Sequence, residues 1–230
     1  MHEEIAALRP CLEGLRTERR AGRDFHLGRL DGHDVILVRC GIGKVAAATT
    51  TAVLLDVFDA AALLFTGVAG GLAKSVRVGD IVVATTLLQH DMNAEPLFPR
   101  WEVPLTGRAR FDADAAWSAR LAQASRALAS TNTHAVDAAI HQGLVVSGDR
   151  FVATHAESDE LRALLPDALA VEMEGAAVAQ VCHAFARPFG VVRTISDRAD
   201  DAAHGDFQRF VRDVAAPYSR DIVRAALRLA

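Results

Sequence analysis

Apolar and polar positions alternate along this chain in a way that predicts strands and helices in turn. Short apolar runs, typical of buried strands, are followed by glycine-containing turns or by stretches with helical spacing. An alternation of this kind is typical of an α/β protein built on a central sheet. The predicted strands are residues 25–30, 34–39, 61–65, 78–88, 142–147, 171–174 and 188–195.

Helical spacing is clearest at the two ends of the chain. Apolar residues recur every three or four positions over residues 1–20, which predicts a helix there. The residues that carry this spacing are Ile5, Leu8, Leu12 and Leu15. Further helices are predicted over residues 112–130 and 207–229, and one is predicted to start near Lys44.

Two short glycine-rich segments, residues 41–43 and 67–71, each follow a predicted strand and are interpreted as turns. Backbone N–H groups exposed at the first turn, just before a helix, would suit an anion or a polar sugar. The glycines would equally permit a tight turn and close packing without any ligand. Neither segment has the spacing of a dinucleotide-binding or phosphate-binding loop, so the sequence predicts no nucleotide cofactor.

Two carboxylates, Glu172 and Glu174, interrupt an otherwise apolar run. A buried carboxylate without a partner is strongly destabilising or becomes protonated, so both need partners from elsewhere in the chain. If the backbone is extended there, the two side chains point to the same side of the strand. The pair then forms part of a site at the end of a sheet, or both are helix N-terminal acids that the helix dipole stabilises.

Candidate site residues follow several predicted strands at their carboxyl ends. The strand at residues 188–195 carries Arg193 and is followed directly by Asp197. In open α/β sheets ligands bind at the carboxyl ends of strands, so these residues are expected to lie close together. The other residues placed at this edge are those of segments 41–43 and 67–71, Phe151, Glu172 and Glu174.

Composition favours a single domain that binds a small molecule. A chain of 230 residues, 51% of them hydrophobic, is predicted to form one domain over residues 1–230. The net charge of −4 lacks the basic excess of nucleic-acid binders, so no nucleic-acid partner is expected. The longest apolar run is too short to cross a bilayer and no leader segment is recognisable, so no membrane partner is expected.

Neither the cysteines nor the histidines form a metal-binding pattern. Cys11, Cys40 and Cys182 have no CxxC spacing and lie in or beside apolar segments. This usage favours reduced, mostly buried thiols and a cytoplasmic location. The nine histidines include no HxxxH pair, so no metal site is predicted.

A long irregular segment, residues 89–111, is rich in proline and contains Phe98 and Trp101. Loops of this length within a compact domain are usually functional or part of an interface. Its aromatic residues are expected to cover a ligand or to pack against a neighbouring subunit.

Five motifs occur in an order that resembles one enzyme family, the 5′-methylthioadenosine/S-adenosylhomocysteine nucleosidases of the purine nucleoside phosphorylase superfamily. The resemblance extends from about residue 1 to about residue 225. It implies a single-domain α/β three-layer sandwich, with a central mixed twisted sheet flanked by helices. The motifs are Gly41-Ile42-Gly43-Lys44-Val45-Ala46, Ala69-Gly70-Gly71-Leu72, Ser147-Gly148-Asp149 before Phe151, Val171-Glu172-Met173-Glu174-Gly175-Ala176, and Val192-Arg193-Thr194-Ile195-Ser196-Asp197.

The resemblance implies catalytic roles for three residues. Asp197 corresponds to the general acid that protonates N7 of adenine, and Glu4 to the glutamate that activates the attacking water. Arg193 would help to place that water. An acid on the leaving-group side and a base with water on the opposite face are also what inversion at an N-glycosidic carbon requires.

Substrate-binding roles are implied in the same way. Glu174 and the main chain at Met173 would hold the ribose hydroxyls. Phe151 would stack on adenine, and the main chain at Val152 would contact the edge of the base. The remaining substrate-binding residues implied are Gly70, Ser196 and Phe207, with Phe207 in the pocket for the 5′-thio substituent.

The activity implied is hydrolysis of 5′-substituted adenosines to adenine and the 5′-substituted ribose. Candidate substrates are 5′-methylthioadenosine, S-adenosylhomocysteine and 5′-deoxyadenosine, with a place in methionine salvage and with no cofactor. The family is usually homodimeric, and the partner is expected to contact the site through segment 89–111.

Other activities stay open at the level of sequence. A phosphorylase of the same superfamily would use phosphate in place of water, with Arg39 and Arg193 as candidate phosphate ligands. A nucleosidase for another adenosyl intermediate is a further alternative. A non-catalytic adenosine-binding protein is the alternative from a different functional class.

The sequence departs from the family pattern at three places. Family members usually begin with a short strand before the helix that carries the catalytic glutamate, and here Met1 falls almost at that helix. Either the printed start is internal to a longer chain, or the sheet lacks its first strand. The other departures are Val68, where the nucleosidases commonly have Ser, and an insertion around residues 95–103.

Overall fold

Two sheets and seven α-helices make up the described part of the chain in this computed structural model, which covers residues 1–131, 138–199 and 207–230. The strands are β1 Glu13–Arg20, β2 Arg23–Leu30, β3 His33–Val38, β4 Leu63–Gly71, β5 Ile81–Gln89, β6 Arg110–Asp112, β7 Ile140–Ser147, β8 Ala168–Glu172 and β9 Phe189–Asp197. The helices are α1 His2–Leu8, α2 Lys44–Ala52, α3 Ala115–Thr131, α4 His155–Leu164, α5 Gly175–Ala184, α6 Phe207–Phe210 and α7 Ala216–Arg228.

The larger sheet has six strands in the order β6-β5-β7-β8-β4-β9, and an additional pairing of β5 with β9 closes it on itself. Strands β5, β7 and β8 run parallel to one another, and β4 runs parallel to β9. The two groups meet in antiparallel pairs, β4 with β8 and β5 with β9. The predicted mixed sheet is therefore confirmed.

Helices cover both faces of this sheet because its strands are apolar on both sides. Ile81 and Val83 of β5 pack in one cluster with residues of α3 and α7. Val82 and Ala84, which point the other way, pack in a second cluster with residues of α2 and α5. The predicted three-layer arrangement of helix, sheet and helix is confirmed.

The prediction of one helix over residues 1–20 is wrong beyond the first turns. Helix α1 ends at Leu8, a single 3₁₀ turn follows at Arg9–Cys11, and β1 then pairs antiparallel with β2. Pro10 lies in that 3₁₀ turn and has no backbone N–H to continue a helix, and the backbone is already extended at Leu12. Apolar spacing alone missed the change because Leu15 continues it by chance, although its side chain is largely exposed.

The glycine-rich segment at residues 67–71 is not a turn, as predicted, but the second half of strand β4. A Cβ atom on Gly67 would lie 1.9 Å from Nη1 of Arg193, and one on Gly70 would lie 2.9 Å from Oδ1 of Asp197. These glycines leave room for side chains of the neighbouring strand β9. The segment is glycine-rich because two candidate site residues cross it.

Other elements agree with the predictions or were missed. Strands β2 and β3 form the predicted hairpin around Asp31 and Gly32, both with positive φ. Helix α2 begins at Lys44 as predicted. Helix α4 was missed, although its N-cap Thr154 and Glu157 three residues later are a recognisable helix-start signal.

A cleft separates the smaller sheet, β1-β2-β3, from strand β4. Among the described residues, β3 pairs only with β2, and residues 63–68 of β4 pair only with β9. A cavity of about 1550 Å³ lies between these two open edges and is lined by Val35 to Val38 and by Leu63 to Val68. No strand precedes α1 among the described residues.

Candidate active site

A buried arginine, Arg193 of β9, is the centre of the candidate site. Its Nη2 forms an ion pair with the Glu172 carboxylate and lies 4.0 Å from Oε2 of Glu174. Its guanidinium carbon lies 4.2 Å from the centre of the Phe65 ring. Burial alone would lower the pKa of Arg193, but the carboxylates of Glu172, Glu174 and Glu4 raise it, so the group stays charged.

Glu172, the last residue of β8, has a structural role. Its Oε2 accepts a hydrogen bond of 3.1 Å from the backbone N–H of Glu174, and both of its oxygens accept from the N–H of Gly175 at 2.8 to 2.9 Å. The hydroxyl of Ser147 donates to the same carboxylate. Glu172 is thus the helix N-terminal acid of α5 and also the partner of Arg193.

Glu174 instead lines the cavity. Its Oε1 accepts a hydrogen bond of 2.8 Å from the backbone N–H of Gly43, while its Oε2 faces Arg193. Burial and then the nearby Glu172 carboxylate raise the pKa of Glu174 above its ordinary value. Each of the two interpretations of the glutamate pair therefore applies to one residue. Glu172 is the helix N-terminal acid, and Glu174 faces the cavity.

The turn at residues 41–43 uses its backbone donors within the protein. The N–H of Gly43 donates to Glu174, and the N–H of Lys44 donates to Oδ1 of Asp149 at 2.7 Å. Gly43 has φ +91°, and a Cβ there would lie 3.0 Å from Asp149. Close packing therefore accounts for this glycine, and these two donors are already paired with protein carboxylates.

Glu4 of α1 is buried and lines the cavity. Its Oε1 accepts a hydrogen bond of 2.8 Å from the hydroxyl of Ser219 in α7, and its Oε2 contacts the Met1 ammonium group. The charge of Glu4 also acts on Arg193. The structure thus brings together Glu4, Glu174 and Arg193, which are far apart in sequence.

Asp197 ends strand β9 and is buried. Its Oδ2 accepts from the Ser196 hydroxyl at 2.7 Å, and its Oδ1 accepts from the backbone N–H of Ala199 at 2.8 Å. Gly70 packs against this carboxylate. Asp197 is four residues from Arg193, about 13 Å along an extended strand, which leaves room for a bound group between them.

The carboxyl ends of strands meet here although the strands are not all parallel. Strands β4 and β8 are antiparallel but overlap only where Gly70 and Gly71 pair with Val171 and Ala170. Their carboxyl ends therefore face each other across this short overlap. The predicted convergence is found, but by this geometry and not by a common strand direction.

Three of the remaining predicted site residues, Phe151, Val152 and Met173, lie in the segments that follow β7 and β8. Phe151 follows β7 and is 46% exposed, Val152 is buried in the cluster that contains Ala199, and Met173 lies half-buried between β8 and α5. Asp197, Phe151 and Val152 are not part of the lining of the cavity that contains Glu4. Phe207 begins α6, but its side chain lies outside the described residues.

Two polar groups near the site were missed by sequence reasoning. Ser147 and Ser219 are fully buried and donate to Glu172 and Glu4, respectively. The signal for Ser219 was a hydroxyl within the apolar stripe of the last helix. The nearby Cys40 is protonated at neutral pH, because burial and the Glu174 charge raise the pKa of its thiol to about 11.

Within residues 1–131, 138–199 and 207–230, no group of three or more His, Cys, Asp or Glu side chains is arranged to hold a metal ion. No helix in the same part of the chain combines the length and apolar character needed to cross a membrane.

Comparisons with known proteins agree with one another. The family described as "Phosphorylase superfamily" matches residues 1–228. A 5′-methylthioadenosine/S-adenosylhomocysteine nucleosidase of Anoxybacillus flavithermus is 40% identical over 225 residues, which are 97% of this chain and 93% of the relative.

Solved structures are similar over the whole chain. The 5′-methylthioadenosine/S-adenosylhomocysteine nucleosidase of Neisseria meningitidis, in complex with methylthio-immucillin-A, has a TM-score of 0.92 and 36% identity, covering 100% of this chain and 96% of its own. The S-adenosylhomocysteine nucleosidase of Streptococcus pyogenes, in complex with 5-methylthiotubericidin, has a TM-score of 0.90 and 33% identity, covering 100% and 93%.

Proposed function

From the premise that this chain belongs to the phosphorylase superfamily, and within it to the 5′-methylthioadenosine/S-adenosylhomocysteine nucleosidases, we propose that Asp197, Glu4 and Arg193 carry its reaction. The chain is an N-glycosyl hydrolase that converts 5′-methylthioadenosine and S-adenosylhomocysteine to adenine and the corresponding 5′-thioribose. The observation that most supports the residue assignment is the cluster of Glu4 and Glu174 around Arg193, with Asp197 farther along the same strand.

Asp197 is the proposed general acid. Its proton passes to N7 of adenine while the bond between N9 and C1′ breaks, so adenine leaves as a neutral base and the ribose becomes cationic at C1′. The position of Asp197 is supported by its two hydrogen-bond donors, the Ser196 hydroxyl and the Ala199 N–H, which fix the carboxyl group. Gly70 supports it further, because a larger residue would displace the carboxyl.

Glu4 is the proposed general base. It accepts a proton from water while the water oxygen bonds to C1′ on the face opposite the departing adenine. Arg193 would orient that water, and its own position is fixed by Glu172. Arg193 and Asp197 are four residues apart on β9, so the proposed acid is separated from the water that Glu4 and Arg193 would hold, as a reaction with inversion at C1′ requires.

Glu174 and the main chain at Met173 are proposed to hold the ribose hydroxyls. Glu174 lines the cavity beside Arg193, so its negative charge would also stabilise the cationic ribose of the transition state. Phe151 is proposed to stack on adenine, since its ring is half exposed after β7. Val152, Ser196, Gly70 and Phe207 complete the proposed substrate site.

The test of this assignment is the variant Asp197→Asn. Because an amide has no acidic proton to give to N7, we expect kcat for adenine release to fall by about 10²–10⁴-fold, the usual contribution of general acid catalysis. Adenine would be measured by chromatography from 5′-methylthioadenosine and S-adenosylhomocysteine. Asp167→Asn, which changes an exposed carboxylate paired with Arg110, should retain wild-type activity.

Two results would contradict the proposal. Full activity of Asp197→Asn would remove Asp197 as the acid. A wild-type rate that depends on added phosphate would favour the phosphorylase alternative over hydrolysis. Equal rates in phosphate-containing and phosphate-free buffer are expected.

The chain is also proposed to form a cytoplasmic homodimer. Support for the dimer comes from segment 89–111, where the side chains of Leu97 and Leu105 are 84% and 91% exposed. Trp101, by contrast, packs on the chain's own core and donates from Nε1 to the carbonyl of His90. Support for the location comes from the free cysteines Cys11, Cys40 and Cys182.

A further inference from the structure

We propose that Ser219 is a positioning residue for the Glu4 carboxylate, and that Thr66 in turn fixes the hydroxyl of Ser219. This inference rests on the proposed role of Glu4 as the general base. It assigns a function to this polar pair, which joins α7 to β4.

Three elements meet at this pair. The hydroxyl of Ser219 donates to Oε1 of Glu4 at 2.8 Å, and the hydroxyl of Thr66 donates to Oγ of Ser219 at 2.7 Å. Ser219 is completely buried, and Glu4 is only 3% exposed. Helix α1, helix α7 and strand β4 therefore meet through a chain of hydrogen bonds that ends on the proposed base.

The hydrogen bonds that link Thr66, Ser219 and Glu4 all donate in one direction, toward Glu4. An ionised carboxylate only accepts hydrogen bonds, so the single hydroxyl proton of Ser219 is directed to Glu4. The oxygen of Ser219 then accepts a hydrogen bond from the hydroxyl of Thr66. Thr66 itself is half-buried. Hydrogen bonds in series away from bulk water strengthen one another, so Thr66 helps to hold Glu4 through Ser219.

Orientation of the carboxylate is the proposed catalytic consequence. Fixing Oε1 restricts rotation of the carboxylate, and this sets how the carboxylate is oriented toward the attacking water. The Met1 ammonium group contacts Oε2, and Arg193 acts on Glu4 by charge, but neither fixes Oε1. Small errors in the position of a reacting group reduce rates steeply, whereas substrate affinity depends mainly on other residues.

The primary test is Ser219→Ala. We expect kcat for 5′-methylthioadenosine to fall by about 10–100-fold while KM stays within about twofold, because the base is misoriented but the substrate contacts remain. Ser219→Thr, which keeps the hydroxyl, should recover most of the lost kcat. Ser125→Ala removes an equally buried serine hydroxyl, which donates to the Leu121 carbonyl within α3, and it should retain wild-type kcat.

A second variant tests the chain of hydrogen bonds and does not depend on the folding of Ser219→Ala. Thr66→Val removes the distal hydroxyl with little change in shape and should lower kcat by a smaller factor, about 2–10-fold. In the double variant with Ser219→Ala, kcat should be no lower than in Ser219→Ala alone. Losses that multiply would show that Thr66 does not act through Ser219 and would overturn that part of the proposal.

Glu4→Gln separates this inference from the proposed function. If Glu4→Gln keeps wild-type activity, Glu4 is not the base and both proposals fail. If Glu4→Gln is inactive but Ser219→Ala keeps the wild-type kcat, only the positioning role is overturned. A parallel change of kcat and KM in Ser219→Ala, with a matching loss of thermal stability, would also overturn it in favour of a purely structural role.

Discussion

The surroundings of Glu174 disfavour its negative charge, whereas its proposed role requires that charge. It lies beside another carboxylate and away from bulk water, yet the proposed mechanism uses its charge next to the ribose. Burial, and then the Glu172 charge, raise the pKa of Glu174 above its ordinary value of 4.5. The folded protein therefore holds this proton more tightly than the unfolded chain does, and stability is lost as pH rises from 4.5 through the raised pKa.

The variant Glu174→Gln is predicted to be more stable and less active than the wild type. At pH 7 its Tm should be higher, because a neutral amide replaces a buried charge and can still accept the N–H of Gly43. Below pH 4.5 the Tm difference should vanish, since Glu174 is then protonated in both states. Differential scanning calorimetry at pH 4 and pH 7, with kinetics at pH 7, measures both effects.

Glu160→Gln is the control for this prediction, because Glu160 is exposed on α4 and its replacement should leave Tm and activity unchanged. A lower Tm for Glu174→Gln at pH 7 would mean that the attraction of Arg193 outweighs burial. Unchanged activity would mean that Glu174 does not hold the ribose.

Single residues differ in how far the sequence predicts them. Glu172 and Glu174 were recognisable because charge within an apolar run demands partners. The role of Gly67 was not recognisable from the sequence. Gly67 must be small because it packs against Arg193, which lies on another strand and is 126 positions away in sequence. Ser219 was missed for the same reason, since its partner Glu4 is separated from it by 215 positions.

At the scale of elements, one ion-pair cluster ties the β2–β3 hairpin to the last helix. Asp31, in the hairpin turn, accepts hydrogen bonds from Arg224 and Arg228 of α7 at 2.8 to 3.0 Å. These bonds, that of Arg224 first, lower the pKa of Asp31 from 3.8 to about 2. The stability that they contribute is present above pH 3.8 and is lost as the pH falls through 2.

Asp31→Asn is predicted to weaken this connection. Its free energy of unfolding at pH 7 should fall by about 1–2 kcal/mol, a range reduced for the solvent exposure of the two arginines. The difference from wild type should shrink as the pH is lowered from 4 toward 2. Urea unfolding at several pH values measures it.

Asp34→Asn is the matched control, since Asp34 lies in the same hairpin and its exposed side chain makes a long contact of 3.6 Å with Arg29. This variant should unfold like the wild type. An equal loss of stability in both variants would show that the hairpin, and not the cluster with α7, responds to the change.

Elements were predicted well where one local signal decides them. The β2–β3 hairpin and the start of α2 follow from glycine turns and apolar runs, and both were predicted. Residues 13–20 were assigned to a helix because their strand is polar and exposed, so that only pairing with β2 defines it. The same holds for the glycines of β4, which long-range packing places in a strand.

For the whole molecule, the proposed homodimer gives the most direct prediction. Light scattering of the wild type should give about twice the mass of 24.6 kDa. Leu105→Glu should lower this mass toward that of one chain, because it places a charge on the exposed part of segment 89–111. Val78→Glu, at an exposed valine outside the segment, should leave the mass unchanged.

A monomeric wild type would remove the dimer proposal altogether. A dimer that persists in Leu105→Glu would place the contact on another surface. The exposed Ile42 and Val45 are the next candidates, since Lys44 between them is tied to Asp91 at the start of the same segment.

The overall architecture was predictable from the order of the motifs, whereas the closure of the sheet was not. Five motifs at strand ends indicated the layers and the position of the site. The pairing of β5 with β9, which joins the two parallel groups, leaves no periodic signal in either strand, because both are buried on both faces along most of their length.

The cleft between β3 and β4 also divides the molecule into units that need not unfold together. No backbone ladder crosses it in the described chain, so the β1–β3 sheet is held by side chains, the Asp31 cluster among them. Amide hydrogens of β2 and β3 should then exchange through local opening, at a lower free energy than those of β4 and β9. Glu4 lies in this cleft. The time for which the β1–β3 sheet stays packed over the cleft, and not global stability, would therefore govern how long the proposed base stays shielded from bulk water.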